Sequence, residues 1–369
     1  MKIKVQREEL HKKLSDIQNI VEKKNTMPIL NHFLLSAAPG ASFITATDLE
    51  TALKESVELE VLEEGTVCIP AKKLFEIVRE MDGEITIEST EKQWVKVKSG
   101  KSVFRIAGLS VDEFPVWPSI TASGDAEEIQ IEAALLREIV EKTIYAAGES
   151  DTRYVLNGLL FHLQASGGIC VVGTDGHRLA LLQKAVPFSV KEERKLIVSR
   201  KSVSELRRFL ADGAAPVKVI IGKSHLLFSL GSIEFLSRLI EGTYPNYEQV
   251  LPLGNTKTAT IEKEALMKAL RRVSIMSKER SSSVKADFEA GVMVISASSP
   301  DVGEAKDEIS MTYTGDPMSL AFNARYLLDT LGAMGSGLVV MKLNEPLSPV
   351  LMTEEGSDDY KCVIMPMRL

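Results

Sequence analysis

One pattern recurs three times along this chain: an alternating apolar strand that runs straight into a helix. It appears first in MKIKVQREELHKKLSDI, where Leu10, Leu14, Ile17 and Val21 keep a helical apolar rhythm. It returns as IQIEAALLREIVEKTI (Ile129 to Ile144) and as ATIEKEALMKALRRVSI (Ala259 to Ile275). A second strand-to-helix unit recurs in step, as VCIPAKKLFEIV (Val67 to Val78), LIVSRKSVSELRRFL (Leu196 to Leu210) and LAFNARYLLDTL (Leu320 to Leu331). Each of these leads into a strand-rich stretch. Such repetition confines the chain to architectures built from copies of one supersecondary unit. The polar, Pro- or Gly-bearing segments WPSITASGDAEE (Trp117 to Glu128) and LPLGNTKT (Leu251 to Thr258) separate the copies. The spacing predicts an α+β chain of three repeated domains, 1–120, 127–251 and 257–369, each with two helices and about eight short strands. A length of 369 residues, more than one core usually serves, agrees.

The net charge of −7 argues at first against a nucleic-acid partner, but its distribution does not. The helical windows 7–24, 71–81, 132–146, 200–211, 262–280 and 324–334 hold 21 Lys and Arg against 14 Asp and Glu, so the remainder is strongly acidic. One basic helix face reads equally well as solvated surface. Taken together, the six windows with their joint basic excess suggest a lining that meets phosphates without reading bases. The candidates are Lys12, Lys13, Lys23, Lys24, Lys72, Arg79, Arg137, Arg200, Lys201, Arg207, Arg208, Lys268, Arg271 and Arg272, with Arg153 and Tyr154 just before the strand VLNGLLF.

Several chemistries find no residues to carry them. Cys68, Cys170 and Cys362 are too few and too dispersed for a disulfide framework or a zinc site, and read as reduced thiols of a cytoplasmic protein. No apolar run approaches the roughly 18 residues of a membrane span, and MKIKVQREEL lacks the apolar stretch of a signal peptide. The GKS strings at Gly100 and Gly222 have Val95 and Val217 where a phosphate loop needs glycine. Neither an HExxH nor a GxSxG string occurs, and the five histidines show no metal spacing. No catalytic residue and no cofactor is predicted.

The string TDGHRLA (Thr174 to Ala180) sits between the apolar runs ICVV and LALL, and its Asp-Gly pair predicts a type I′ hairpin turn. The chain ends on VIMPMRL, an apolar tail that must be buried or offered to a partner. Methionines suit surfaces that accept several partners. Together with GTYPNYEQVLP (Gly242 to Pro252) and NARYLLDTL (Asn323 to Leu331), these strings resemble, in order and end to end, the bacterial DNA sliding clamps, the beta subunits of DNA polymerase III.

The resemblance implies a head-to-tail homodimeric ring, helices lining the channel and sheets outside, that encircles double-stranded DNA as a processivity factor. Its partners would be the DNA polymerase III alpha subunit, the clamp loader complex, and other polymerases and repair proteins carrying short linear peptides. Carried over by position, the peptide pocket would use Leu156, Thr174, Gly176, His177, Arg178, Leu179, Pro245, Val250, Asn323, Tyr326, Val363, Met365, Pro366, Met367 and Arg368, with His177, Arg178, Asn323 and the terminal backbone as polar contacts. Gln249 and Ser281 depart from the common family pattern. The subunit junction would use Phe104 and Ile106 against Ile275 and Met276, and Lys73 and Lys101 against Asp301, Glu304 and Asp307. Two rival readings are a repeat scaffold with a peptide pocket that never touches DNA, and a DNA-processing hydrolase.

Overall fold

Period-two alternation builds strands and the three-to-four rhythm builds helices. In the first repeat β1 (Lys2–Gln6) runs into α1 (Arg7–Ile17). Then β2 (His32–Ala37), β3 (Phe43–Thr47), β4 (Thr51–Ser56), β5 (Glu60–Glu63) and β6 (Gly65–Pro70) precede α2 (Ala71–Arg79), and β7 (Glu84–Ser89), β8 (Trp94–Ser99) and β9 (Ser102–Ala107) follow it. The second repeat holds β10 (Glu127–Ile131), α3 (Ala133–Thr143), β11 (Gly158–Gln164), β12 (Gly168–Thr174), β13 (Arg178–Ala185), β14 (Arg194–Ser199), α4 (Arg200–Phe209), β15 (Val217–Ile221), β16 (His225–Leu230) and β17 (Ile233–Arg238). The third holds β18 (Lys257–Glu262), α5 (Lys263–Ser274), β19 (Ser283–Glu289), β20 (Val292–Ser299), β21 (Gly303–Thr314), β22 (Met318–Asn323), α6 (Ala324–Ala333), β23 (Leu338–Leu343), β24 (Val350–Glu354) and β25 (Tyr360–Ile364). The structure, a computed structural model, describes residues 1–21, 27–120, 126–188, 190–210, 215–277, 282–300 and 303–368. Lys23, Lys24, Ser281 and Asp301 lie outside the described residues. The result is a three-domain, β-rich fold with two α-helices per repeat among the described residues, and every named strand pairing is antiparallel.

The chain divides into two compact units, residues 1–134 with 205–239 and residues 135–204 with 240–369. The first holds a five-stranded sheet, β5-β1-β7-β8-β9, and an eight-stranded one, β10-β15-β16-β17-β4-β3-β2-β6. The second holds a twelve-stranded order, β14-β11-β12-β13-β25-β24-β23-β18-β21-β20-β19-β22. Two pairings cross repeat boundaries: β4 of the first repeat with β17 of the second, and β13 of the second with β25 of the third. The tail adds a further bridge. Met367 donates its N–H to the Ala321 carbonyl at 2.7 Å, covering the outer edge of β22 that would otherwise stay unpaired.

Helix burial largely follows the apolar stripes, with a buried lysine on α1. On α1, Leu10, Leu14 and Ile17 face the core, and Lys13 lies buried with them. Its ammonium donates to Glu55 Oε1 at 2.6 Å, and Glu55 is 2% exposed. The expectation that Lys13 meets phosphate is therefore corrected: its stripe position turns it inward, onto a buried carboxylate. Burial raises the Glu55 carboxyl above the usual glutamate range, with Lys13 opposing the shift. An acid raised in this way contributes stability that is whole below its unfolded pKa and lost as pH rises through its folded one. Lys13→Met leaves the carboxylate without its cation and is expected to cost about 3 kcal/mol in urea denaturation at neutral pH. The deficit should shrink as pH falls and the carboxyl protonates. Lys13→Met with Glu55→Gln should recover most of it.

Candidate peptide-binding site and basic helix faces

The turn between β12 and β13 is built by its own side chains. Thr174 Oγ1 accepts from the Gly176 N–H at 3.1 Å and donates to the Arg178 carbonyl at 2.6 Å. Asp175 Oδ1 accepts from the N–H groups of His177 and Arg178 at 2.9 and 3.0 Å. Of the two central residues only Gly176 is left-handed, at φ +85°, so the turn is an Asx-capped loop rather than the type I′ hairpin expected. A side chain at 176 would be strained by the positive φ and would displace Arg153. A Cβ there would come within 2.8 Å of the Arg153 guanidinium, which is locked on Asp151 and donates to the Asp175 carbonyl at 3.1 Å. Arg153 thus belongs to this turn. Its pairing with Asp151 also holds that carboxyl low, at about 2.

Arg178 is the centre of the site and is largely buried. Its guanidinium donates to Asp175 at 3.1 Å, to Asp329 on α6 at 2.7 Å and to the Tyr145 carbonyl at 2.6 Å. It lies over the ring of Tyr326 at 4.4 Å and near that of Tyr145 at 5.4 Å. Much of the side chain is thus taken up within the chain, where it joins the turn to α6. Asn323 Oδ1 likewise caps α6, accepting from the N–H groups of Arg325 and Tyr326. His177 stays exposed, while its carbonyl accepts from Met365 N–H at 2.9 Å.

Below the turn lies an apolar floor. Leu156, Leu179 and Val363 are buried in one cluster with Leu160, Val172, Tyr244 and Tyr247. Pro245, Val250 and Met365 stand exposed at its rim, with Pro366 and Met367 half-buried and Arg368 exposed. Tyr247 is fixed by His162, whose ring nitrogens lie 2.8 Å from the tyrosine hydroxyl and 2.7 Å from Glu193. All fifteen carried-over positions thus fall in the second compact unit. Asp329 was missed in the sequence, although it follows Tyr326 by one turn of the same helix; Tyr145, Asp151 and His162 left no local signal.

The helical cations are mostly exposed. Lys12, Lys72, Arg79, Arg207, Arg208, Lys268, Arg271 and Arg272 all face solvent within the chain. Several are shared with acids: Arg79 with Glu80, Arg208 with Glu205, Arg137 with Glu141 and Arg272 with Asp307. Arg200 is half-buried against the Ala147 carbonyl and Glu149, and Lys201 is half-buried too. Tyr154 is 60% exposed beside Gly242. At the expected junction Phe104 and Ile275 are exposed, at 41% and 73%. Ile106 is only 7% exposed, paired with buried Val95 inside its own chain, and it is corrected as a contact residue. Lys73 pairs with Glu76, Met276 is half-buried, and Lys101 and Glu304 are exposed.

Family models of the DNA polymerase III beta subunit match the whole length: the N-terminal domain over residues 1–118, the central domain over 130–246 and the C-terminal domain over 248–368. The beta sliding clamp of Pseudomonas putida is 35% identical over 371 residues, covering all of both chains. The DNA polymerase III subunit beta of Pseudomonas aeruginosa superposes with a TM-score of 0.93 at 33% identity, again over the whole of both chains. A sliding clamp of Bartonella birtlesii, solved bound to griselimycin, gives 0.94 at 33% over the same coverage. The bonding at the turn separates two neighbouring residues. Arg178→Lys loses the planar fork and cannot serve the half-buried Asp175 and Asp329 and the Tyr145 carbonyl together, at an expected cost of about 1–3 kcal/mol in urea denaturation. His177→Ala removes an exposed ring and should stay within about 0.5 kcal/mol.

Proposed function

The chain belongs to the family of the DNA polymerase III beta subunit, the bacterial sliding clamps, and we propose that two copies of it join head to tail in a ring. Like its family it is a processivity clamp and not an enzyme: it encircles DNA and tethers the proteins that work there. Its mechanism is topological. Leaving DNA requires an opened ring or a DNA end, so the interactions with phosphate can stay few, screened and mobile. Exposed Lys12, Lys72, Arg207, Lys268 and Arg271 supply that attraction in this reading. The observation that carries it is the correspondence of all three repeats, in order, over the full length of the chain.

Two strand edges support the junction. β9 ends its sheet with Val103 and Phe104 exposed. The first part of β21, residues 303–310, pairs with β20 alone, because β18 reaches only its last four residues. Pairing β9 of one copy with β21 of the next would satisfy both edges, and twofold symmetry makes the two junctions alike. Ile275, at the end of α5, would pack beside them, and Glu304 would meet Lys101. Asp307 is paired with Arg272 in its own chain.

The apolar floor around Leu156, Leu179 and Val363 receives the leucine or phenylalanine of a linear peptide, from the polymerase alpha subunit, the clamp loader or repair proteins. His177, Met365 and Met367 frame its entry. Loaded protein is expected to stay on nicked circular DNA and to be lost when the circle is cut; equal retention on linear DNA would remove the ring. Changing Lys12, Lys72, Arg207, Lys268 and Arg271 to Ala should flatten the log–log salt dependence by about one unit for each phosphate no longer neutralised. Phe104→Ala with Ile275→Ala should weaken the dimer by at least about a hundredfold in sedimentation equilibrium, leaving peptide binding unchanged.

A further inference from the structure

The turn that frames the peptide site occurs twice. In the first repeat, TDLET (Thr47 to Thr51) joins β3 to β4 as TDGHR joins β12 to β13. Thr47 Oγ1 accepts from Leu49 N–H and donates to the Thr51 carbonyl, both at 3.0 Å. Asp48 Oδ1 accepts from the N–H groups of Glu50 and Thr51 at 2.9 and 2.6 Å. Arg238 N–H, at the end of β17, donates to the Glu50 carbonyl at 2.7 Å, as Met365 N–H, just past β25, donates to that of His177. The aromatic-proline pair recurs as well, Phe114-Pro115 beside this turn for Tyr244-Pro245 beside the other.

Three positions differ, Thr51 standing where the other turn has Arg178. Leu49 stands where the other turn has Gly176, at φ +77° and 48% exposed. A leucine rarely adopts that backbone, and an exposed one gains little from it. Residues held so are concentrated at sites that use them. Glu50 stands where the other turn has His177. Beside them Leu49, Phe114, Pro115, Val116, Trp117 and Leu236 line a cleft of about 70 Å³, and Val116 is 90% exposed. That is about half the roughly 150 Å³ of a cavity that takes benzene, so the cleft suits one aliphatic side chain rather than a ring. Glu50 is its only formally charged lining residue, since burial keeps the His225 imidazole below the usual range and neutral.

We propose that the first-repeat cleft is a second peptide-binding site, taking an extended segment that seats one leucine or methionine beside a lysine or arginine. Leu49 forms its apolar wall, and Glu50 pairs with the cation, a charge preference opposite to that expected at His177. The analogy rests on the reading of the second-repeat site as a peptide pocket, while the cleft itself stands on its own residues.

Trp117 supplies the readout. In a Trp94→Phe background it is the one tryptophan of the chain. The full-length protein is titrated with the capped peptide Ala-Lys-Leu-Lys-Ala, its charge-reversed form Ala-Glu-Leu-Glu-Ala and the anchorless Ala-Lys-Ala-Lys-Ala. A saturable emission change is expected with the first alone. Glu50→Gln should weaken it about fivefold, and Leu49→Asn should weaken it more than about tenfold. Asparagine accepts left-handed backbone, so Leu49→Asn should melt no lower than the parent. Met367→Ala with His177→Ala should leave the titration untouched. An equal response to all three peptides, no saturation with any, or full binding by folded Leu49→Asn would overturn the proposal. Should a Gln-Leu-Phe peptide fail to bind while the Trp117 titration succeeds, the second-repeat reading falls and this one stands.

Discussion

Main-chain pairing across the repeat boundaries is the constraint on which both clefts depend. β4 pairs with β17 and β13 pairs with β25, so the eight- and twelve-stranded sheets each run on from one repeat into the next. A repeat that ended its sheet at its own boundary would expose a row of unpaired N–H and C=O groups. Pairing removes that hazard and fixes register. Because side chains alternate along a strand, register decides which face every residue serves. The turns at Thr47–Thr51 and Thr174–Arg178 are thereby set beside the chain that leaves the neighbouring repeat's strand, and an apolar recess follows at each place.

Within the second compact unit, Arg178 converts that pairing into a rigid site. Its three acceptors come from the turn, from α6 and from the carbonyl of Tyr145, and two tyrosine rings take its flat faces. A guanidinium can do this because its donors are fixed in a plane; an ammonium cannot. Exposed His177 lies in the turn that Arg178 joins to α6, and its carbonyl holds the Met365 N–H. Preorganisation of this kind lowers the ordering cost of binding.

Charge follows a comparable division. The chain is acidic as a whole, and the exposed cations collect on helices. Lys13 shows why such a count overreaches. A lysine at a stripe position turns inward, and what it meets there is a buried glutamate rather than solvent. Arg272 and Asp307 make the same point on the surface, since two residues expected to serve different partners serve each other.

The sequence by itself determined the threefold repetition, the two helices of each repeat and the strings that mark the family, because periodicity and turn chemistry are local properties that survive in linear order. The apolar stripe of Leu10, Leu14 and Ile17 named the core face of α1 correctly. Only the tertiary structure decided which polar residues are committed inside. Arg178 meets Asp329 across 151 residues and Lys13 meets Glu55 across 42, pairings that carry no signature in either segment. Nor does the string TDLET announce that it folds as TDGHR does, because leucine disfavours the conformation that glycine invites. The likeness of the two turns lies in their hydrogen bonds, which exist only once the strands on either side are paired.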